Sequence, residues 1–176
     1  MRVISGKYKG LVLKEHNIIG TRPTMDRIKE SLFGIIQNKI PNSICLDLFA
    51  GSGSLGLEAI SNGAKLVYFV DKNKIVTDNI KKEFKNIHED YVLYNLDFRD
   101  ALKKIKNDNM KFDIVFLDPP YDLFLITESI KLLLEYELLN KGAYIVCEYL
   151  NEKIDCDLQI YKHKKYGDKF ITIYKS

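Results

Sequence analysis

The stretch that decides the fold lies in the second half of the chain and reads Phe112-Asp113-Ile114-Val115-Phe116-Leu117-Asp118-Pro119-Pro120-Tyr121. Its first six residues are mostly apolar and partly β-branched, which predicts a buried parallel strand. Neither Pro119 nor Pro120 can donate to a sheet ladder, and each favours an extended backbone in the residue before it. The sequence therefore predicts a strand that ends at Asp118 and leaves the sheet in a fixed direction.

Residues 118–121 place a carboxylate, free carbonyl groups and a flat ring at the end of this strand. In an open α/β sheet, ligands bind at the carboxyl ends of the strands. A carboxylate and a carbonyl can each accept one N–H bond from an exocyclic amine, while an aromatic ring stacks on the base that carries it. Asp118, Pro119, Pro120 and Tyr121 are therefore the candidate catalytic residues. The alternative is a plain turn that packs Tyr121 on the core.

Strands alternate with helices through most of the 176 residues. Strands are predicted at 44–49, 66–70, 91–96, 112–117, 143–148, 158–163 and 169–174, and helices near 24–40, 54–61, 75–87 and 123–136, with a short helix that begins at 98–100. This order predicts a Rossmann-like α/β fold, with a doubly wound, mostly parallel seven-stranded sheet and an antiparallel terminal strand. We expect an N-terminal β-hairpin and helix at residues 1–40 as an extension, and one compact unit at 41–176.

A glycine loop follows the strand that begins at Ile44 and reads Gly51-x-Gly53-x-x-Gly56 directly before a helix. Glycines at this spacing allow a tight turn and a close approach of a ligand to the backbone. Asp71, at the tip of the next strand, is placed to bond the hydroxyls of a ribose. The spacing alone would serve a dinucleotide equally well.

The charge around this loop favours a different ligand. Asp47 precedes the loop, and no Lys or Arg lies between Ser43 and Ala64. A cation-free acidic loop suits an ammonium and a sulfonium better than a pyrophosphate, and S-adenosylmethionine carries both cations. Asp97 could accept from the adenine amine and Phe98 could cover its face, although a helix N-cap and a core aromatic remain alternatives. The candidate cofactor-binding residues are Asp47, Phe49, Gly51, Ser52, Gly53, Gly56, Asp71, Lys72, Asp97 and Phe98.

The composition is that of an ordinary globular domain, with 46% apolar and 29% charged residues. Three widely spaced cysteines favour neither a disulfide framework nor a zinc site, and they point to a reducing cytoplasm. No apolar run is long enough to span a membrane. Residues 1–40 carry eight basic against three acidic side chains, as a surface that follows nucleic-acid phosphates would. A merely solvated face is the alternative.

Two sets of motifs then resemble a known family. Residues 46–53 (Leu-Asp-Leu-Phe-Ala-Gly-Ser-Gly), 56–59 (Gly-Leu-Glu-Ala) and 118–121 (Asp-Pro-Pro-Tyr) are similar to class I S-adenosylmethionine-dependent amino-methyltransferases. Residues 2–10 and 22–30, with Arg22-Pro23-Thr24 as the most specific part, and Lys165-Tyr166-Gly167-Asp168 resemble the RsmD family. Those enzymes are the bacterial 16S rRNA (guanine(966)-N2)-methyltransferases.

The resemblance implies a target, the exocyclic N2 of one guanine in the 16S rRNA of the small subunit. A protein of this size can hardly select one guanine by base contacts alone, so we expect ribosomal proteins in a small-subunit particle to help shape the site. It also implies S-adenosyl-L-methionine as cofactor, S-adenosyl-L-homocysteine as product, and no metal. The candidate RNA-binding residues are Arg2, Lys7, Tyr8, Lys9, Arg22, Thr24 and Arg27, of which Arg22 and Thr24 could instead reach the cofactor or the 118–121 loop. We expect a cytoplasmic monomer without a membrane partner. Methylation of adenine N6, a nicotinamide-dependent oxidoreductase and a non-catalytic RNA-binding protein are the alternatives.

Overall fold

The structure, a computed structural model, describes residues 1–13 and 23–176, and the side chains of residues 23–25 and 122 lie outside the description. The strands are β1 (Ile44–Asp47), β2 (Leu66–Val70), β3 (Tyr91–Tyr94), β4 (Phe112–Leu117), β5 (Leu139–Tyr149), β6 (Gln159–Tyr166) and β7 (Lys169–Lys175). The helices are α1 (Pro23–Ile36), α2 (Ser54–Ser61), α3 (Lys74–Glu83), α4 (Phe98–Asn107) and α5 (Ile126–Glu135). Among the described residues, no helix is long and apolar enough to cross a membrane.

The seven strands form one sheet in the order β3-β2-β1-β4-β5-β7-β6. Strands β1 to β5 pair in parallel, and β7 pairs antiparallel with both β5 and β6. The predicted doubly wound sheet, with an antiparallel strand near one edge, is therefore confirmed. Because β1 and β4 are neighbours at the centre, the glycine loop after β1 and the Asp118 turn after β4 lie at the same edge.

Each face of the sheet carries its own apolar core. Along β4, Ile114 and Phe116 join the core under α1, α2 and α3, whereas Val115 and Leu117 join the core under α4 and α5. This alternation follows from the two-residue period of a strand. Both faces are covered, which explains why β4 reads as one continuous apolar run.

The predicted N-terminal hairpin is present in a reduced form. One antiparallel bridge joins Arg2 to Val12, and the amide of Val3 donates to the carbonyl of Leu11 at 2.9 Å. Val3 and Leu13 are both buried in the core that also contains α1 residues. The hairpin and α1 are thus packed on the main sheet, and the domain boundary at residue 40 stays a prediction.

Several predicted element ends were wrong. Strand β1 ends at Asp47 rather than Phe49, helix α3 ends at Glu83 rather than Ile87, and strand β5 begins at Leu139 rather than Ala143. Two further ends differ for reasons that the contacts show. Strand β3 ends at Tyr94 rather than Leu96, because the side chain of Asn95 turns to the neighbouring loop and donates to the carbonyls of Asp71 and Lys72. Helix α5 begins at Ile126 rather than near Leu123. A short 3₁₀ turn and a left-handed Phe124, with φ of 49°, come first.

Candidate active site

Four acidic side chains follow or close neighbouring parallel strands at the carboxyl edge of the sheet. Asp47 ends β1, Asp71 follows β2, Asp118 follows β4 and Glu148 lies near the end of β5. The register pairs Leu117 with Cys147, so Asp118 and Glu148 are neighbours one residue further on. Asp118 is half-buried and Glu148 is 9% exposed. The fold thus brings four carboxyl groups, including that of Glu148, to one edge of the sheet.

Glu148 connects Asp118's turn to the last strand. The hydroxyl of Tyr121 donates to Oε1 of Glu148 at 2.6 Å, and Nζ of Lys169 donates to the same oxygen at 2.6 Å. Nζ of Lys169 also lies 5.0 Å from the centroid of the Tyr121 ring. Two contacts thus hold the half-buried ring, one at its hydroxyl and one over its face. Of the two prolines between Asp118 and Tyr121, Pro119 is buried and Pro120 is exposed.

The surroundings of Asp118 favour its neutral form. Burial raises the pKa of this carboxyl well above its ordinary value, and the nearby Glu148 charge raises it further. The ammonium of Lys169 acts in the opposite direction. Once ionised, a carboxyl group with a raised pKa is a stronger base than an ordinary carboxylate, which suits it to accept a proton.

The glycine loop makes the tight turn that the sequence predicts. Gly51 and Gly53 have φ of 51° and 77°, a left-handed region that favours glycine, and the amide of Gly53 donates to the carbonyl of Ala50 at 2.7 Å. Apart from the adjacent residues, the carbonyl oxygen of Phe49, at 4.0 Å, is the only atom of the described residues within 4 Å of a Cβ added to Gly51. Ser52 is half-buried between them. A ligand can therefore approach this backbone closely.

Asp47 lies beneath the loop rather than in it. Its side chain is 1% exposed, and Oδ2 accepts the amide of Gly56 at 3.0 Å. Burial raises the pKa of Asp47 to about 7, with a further increase from Asp71 and a decrease from the Gly56 bond. The carboxyl thus holds the first turn of α2 against the end of β1.

Asp71 holds the loop from the other side. Its Oδ2 accepts the amide of Gly51 at 3.0 Å and its Oδ1 accepts the amide of Asn73 at 2.8 Å. The next side chain, Lys72, is exposed. Asn95, which the sequence analysis missed, donates to the carbonyls of both Asp71 and Lys72 at 3.0 and 2.9 Å. This amide fixes the position of the carboxylate that we predicted to bind a ribose.

The structure gives Asp97 and Phe98 the roles that we considered as alternatives. Asp97 is the N-cap of α4, where Oδ1 accepts the amide of Arg99 at 3.0 Å. Phe98 is 4% exposed, packs 5.3 Å from the half-buried Phe49 ring, and carries the Arg99 guanidinium 4.3 Å from its centroid. Their contacts to an adenine stay predictions.

Comparison with known proteins identifies the family of this chain. The family model described as Conserved hypothetical protein 95 matches residues 1–175. A protein of Haemophilus influenzae named ribosomal RNA small subunit methyltransferase D is 41% identical over 87% of this chain and 80% of its own length. The chain belongs to the RsmD family.

Two further matches extend over nearly the whole chain. A putative rRNA methyltransferase of Bacillus subtilis is 36% identical over 99% of this chain and 98% of its own. The solved structure of a putative methyltransferase from Escherichia coli superposes with a TM-score of 0.89 at 29% identity, and it covers 99% of this chain and 97% of its own. The RsmD resemblance inferred from the motifs is thus confirmed along the full length.

The basic residues of the RsmD-like N-terminus do not form one surface. Arg2 pairs with Asp26 in the first turn of α1, at 3.5 Å, and this turn lies on the same side as the glycine loop. The hairpin tip lies at the opposite edge, because the amide of Lys7 donates to the carbonyl of Ser61 at the end of α2. Lys7 and Tyr8 both contact the carboxylate of Glu89.

The remaining candidates for RNA binding divide in the same way. Lys9 is exposed at the hairpin tip, and Arg27 is exposed on α1 near the carboxyl edge. Thr24 lies in the first turn of α1, but its side chain is outside the description. Arg22 lies outside the described residues. Among the described candidates, Arg27 and Arg2 are therefore the ones that the fold brings to the side of Asp118.

A buried ion pair between α1 and α2 was missed by the sequence analysis. Lys29 is 3% exposed, and its Nζ lies 3.2 Å from Oε2 of the fully buried Glu58 and 2.9 Å from Oγ of Ser54. Glu58 also accepts the amides of Ile4 and Ser5, each at 2.8 Å. The only sequence signal is a lysine on the apolar side of α1, beside Ile28 and Leu32. Lys29 therefore does not belong to the basic surface that we counted.

Lys169 was missed as well. A signal was available, because it follows the family-specific Lys165-Tyr166-Gly167-Asp168 turn directly. Its role could not be read from the sequence, since its partner Glu148 is 21 residues away.

A separate cavity of about 320 Å³ lies at the amino edge and is lined by Ser43, Asp113 and Tyr144 among others. This cavity is remote from the glycine loop.

Proposed function

We propose that this protein transfers a methyl group from S-adenosyl-L-methionine to the exocyclic N2 of a guanine in the 16S rRNA of the small ribosomal subunit. The observation that carries the proposal is the shared edge of the glycine loop and the Asp118-Pro119-Pro120-Tyr121 turn, on the adjacent strands β1 and β4. Membership of the RsmD family supports the rRNA target, since its curated relatives are named for rRNA methylation.

The residues of the glycine loop fit S-adenosylmethionine. The left-handed Gly51 leaves room for close approach, whereas the left-handed Gly53 lets the loop pack closely against Phe84. The carboxyl groups of Asp47 and Asp71 lie beneath and beside the loop. Residues 43 to 64, which run from the start of β1 through the glycine loop and α2, contain no Lys or Arg. Asp71 would hold the ribose hydroxyls, the loop backbone would contact the amino acid part, and Phe49 would flank the base. When bound, the cofactor supplies an electrophilic methyl group on a sulfonium.

Asp118 and the carbonyl of Pro119 then act on the guanine. An exocyclic amine on an aromatic ring is a poor nucleophile because its lone pair is delocalised into the ring. Each acceptor takes one N–H bond, which fixes the nitrogen with its lone pair directed at the loop after β1. Such positioning contributes about 7–11 kcal/mol in well-oriented reactions. The tethered ring of Tyr121 stacks on the extruded base, which adds about 1–3 kcal/mol.

The proton balance involves Asp118. The guanine nitrogen forms a bond to the methyl carbon while the carbon–sulfur bond breaks, and the nitrogen must lose one proton. Asp118 accepts that N–H bond, and the raised pKa of its carboxyl suits it to take the proton. The products are N2-methylguanine and S-adenosylhomocysteine.

Small size limits how much sequence the protein can read by itself. Phosphate contacts position a nucleic acid, whereas base contacts specify it. With 176 residues, the chain has little surface for base contacts beyond the target. We therefore propose that the substrate is a folded small-subunit particle in which ribosomal proteins shape the site, and that the enzyme acts as a monomer in the cytoplasm.

The test is methylation of small subunits by purified protein and labelled cofactor, followed by mass mapping of the 16S rRNA. The wild type should methylate one guanine, and Asp118→Ala should lose transfer by at least about 100-fold, because the amine loses its acceptor. Binding of S-adenosylhomocysteine should stay within about two-fold of the wild type. Asp157→Ala, an exposed carboxylate away from the site, is the matched control.

Other outcomes would contradict the proposal in distinct ways. Label in duplex DNA or in an adenine would replace the guanine target by adenine N6. Binding of a nicotinamide cofactor, with no calorimetric signal for S-adenosylhomocysteine, would indicate an oxidoreductase. Full activity of Asp118→Ala would remove the carboxylate from the mechanism.

A further inference from the structure

The pair Glu148 and Lys169 lies beside Asp118, and the proposed transfer gives it no task of its own. We propose that Glu148 and Lys169 read the Watson–Crick edge of the flipped base and thereby select guanine against adenine. This inference rests on the proposed function, because it assigns base selection at the same site. It adds two specificity-determining residues from strands β5 and β7.

The three side chains lie on one face of the sheet, and their polar ends form a row at the carboxyl edge. Phe116, Val146 and Ile173 are cross-strand neighbours in the core beneath α1. Two residues further toward the carboxyl edge come Asp118 on β4, Glu148 on β5 and Ile171 on β7. Lys169 lies two residues beyond Ile171, and its Nζ reaches back to Oε1 of Glu148. Side chains two residues apart on a strand share a face. The spatial order across the edge is therefore Asp118, Glu148, Lys169, since β4, β5 and β7 are consecutive neighbours.

The hydrogen bonds within this row leave capacity for a ligand. In the described part of the chain, both hydrogen bonds to Glu148 go to Oε1, from Tyr121 and from Lys169. Oε2 can accept another bond. Lys169 has an ammonium with three donors, and its hydrogen bond to Glu148 uses one of them. The row thus offers an acceptor at Asp118, an acceptor at Glu148 and a donor at Lys169.

Guanine presents the complementary pattern. Along its Watson–Crick edge it has a donor at N2, a donor at N1 and an acceptor at O6. Enzymes that act on an extruded base read this edge by hydrogen bonds. With N2 on Asp118, the N1–H meets Oε2 of Glu148 and O6 meets the ammonium of Lys169. The order of the three side chains across the edge, from Asp118 to Glu148 to Lys169, thus matches the order of N2, N1 and O6 along the guanine.

Adenine presents the reverse at the two distal positions. In the pose of guanine, the N1 acceptor of adenine would face the carboxylate of Glu148 and its N6 amine, a donor, would meet the ammonium of Lys169. In the reversed pose, which places N6 on Asp118, N1 would still face the carboxylate and the C2–H would leave the ammonium without an acceptor. The side chains of Lys169 and Glu148 are only 18% and 11% exposed, so water cannot easily relieve these mismatches. Rejection therefore comes from unpaired polar groups, which discriminate more strongly than shape does.

The experiment uses small subunits reassembled on 16S rRNA in which the methylated guanosine is replaced by 2,6-diaminopurine riboside. This base keeps the 2-amino group but has an acceptor at N1 and a donor at C6. For the wild type, kcat/KM should fall by about 100-fold on the substituted subunit. Glu148→Gln should reduce this difference at least 10-fold, because its amide can donate to N1. Lys169→Met should also reduce it, by removing the repelling ammonium.

Matched controls separate selection from general damage. Glu135→Gln and Lys175→Met change exposed residues of the same types away from the site, and both should keep the wild-type ratio. An unchanged ratio in both Glu148→Gln and Lys169→Met, or equal rates of the wild type on both bases, would overturn the inference while leaving the methyl transfer intact. Failure of the wild type to methylate unsubstituted subunits would overturn the proposed function itself.

Discussion

At the scale of single residues, Asp47 shows how burial can couple a carboxyl to the charge of a ligand. The group is enclosed below the glycine loop, and burial raises its pKa to about 7, while Asp71 adds to the shift. A neutral Asp47 needs no counterion. A sulfonium bound over the loop favours the ionised form, so binding of a cation and loss of this proton are linked.

This linkage predicts a pH dependence for cofactor affinity. Below about pH 7 the free protein holds a proton on Asp47 that a cation must displace. Affinity for S-adenosylmethionine should therefore rise as pH increases from 6 to 7, by at most about 10-fold, and level off above. S-adenosylhomocysteine, whose sulfur is uncharged, should show a weaker trend in calorimetry. Asp47→Asn should remove the difference in pH dependence between the affinities for the two ligands. If that difference persisted in the variant, Asp47 would not be the group that titrates.

The charges next to Asp118 predict opposite shifts of the pH–activity profile. The carboxylate form accepts the N–H bond, and the pKa of Asp118 is raised, so activity should increase with pH through a limb above the ordinary carboxyl range. Glu148 raises this pKa and Lys169 lowers it. Glu148→Gln should move the limb to lower pH and Lys169→Met to higher pH, measured as initial rates on guanosine subunits. Shifts of the same sign would rule out this electrostatic account.

At the scale of elements, helix α2 is held on several sides. An added Cβ on Gly56 would lie 2.1 Å from Cε1 of the fully buried Phe69, so α2 packs directly on β2. An added Cβ on Gly6 would lie 1.9 Å from the carbonyl oxygen of Ser61, so the hairpin docks on the other end of the helix. The N-terminal extension therefore supports the helix that follows the cofactor loop.

Two helical glycines should respond in opposite ways to alanine. Gly56→Ala must displace a fully buried ring, which we expect to cost about 1–3 kcal/mol of unfolding free energy and to weaken binding of S-adenosylhomocysteine. Gly34→Ala lies in α1, where no atom from elsewhere in the described part of the chain comes within 4 Å of the new Cβ, and it should raise stability by up to about 1 kcal/mol. Urea unfolding measures both. Equal changes in the free energy of unfolding for the two variants would show that the contact of Gly56 with Phe69 does not affect stability.

The buried ion pair between α1 and α2 predicts a large loss of stability on disruption. Burial lowers the pKa of Lys29 while Glu58 opposes that shift, so the charges depend on each other. Lys29→Met should reduce the free energy of unfolding by about 3–5 kcal/mol, because it leaves the Glu58 charge without its counterion. Lys39→Met, at an exposed lysine near the end of the same helical region, should change it by less than about 0.5 kcal/mol.

At the scale of the whole molecule, the hairpin spans the height of the sheet. Its base lies near α1 and the glycine loop, while its tip contacts Ser61 and Glu89 at the amino edge. An RNA that delivers its guanine to Asp118 arrives from the carboxyl side. Basic residues on that side should therefore contribute more to binding than those of the tip.

Charge reversal tests this division. Arg27→Glu should weaken binding to small subunits and reduce the slope of log K against log salt by about 1 or more, since it removes a phosphate contact. Lys9→Glu should have a smaller effect, and Lys103→Glu on the far face should have none. Filter binding at several salt concentrations gives the slopes. A larger loss for Lys9→Glu would mean that the RNA extends to the amino edge.

The parts of the fold that could be predicted are those with local causes. The apolar run of β4, the prolines after Asp118 and the glycines after β1 each restrict the backbone where they stand. The ends of β3 and α5 could not be predicted in the same way, because Asn95 and Glu152 act across space. Glu152 accepts the amide of Thr127, 25 residues earlier, at 2.9 Å. A side chain that caps a distant element leaves no local pattern.

The sequence by itself determined the order of strands and helices along the chain, the glycine turn, the Asp118 turn and the family. These depend on short-range backbone preferences and on contiguous motifs. Only the tertiary structure decided that Glu148 and Lys169 join Asp118, that Lys29 is buried against Glu58, and that the basic tip of the hairpin lies at the far edge. Those outcomes depend on the order of strands within the sheet, on their register and on burial. These bring together charged side chains from distant parts of the chain, and no local pattern in the sequence connects such side chains.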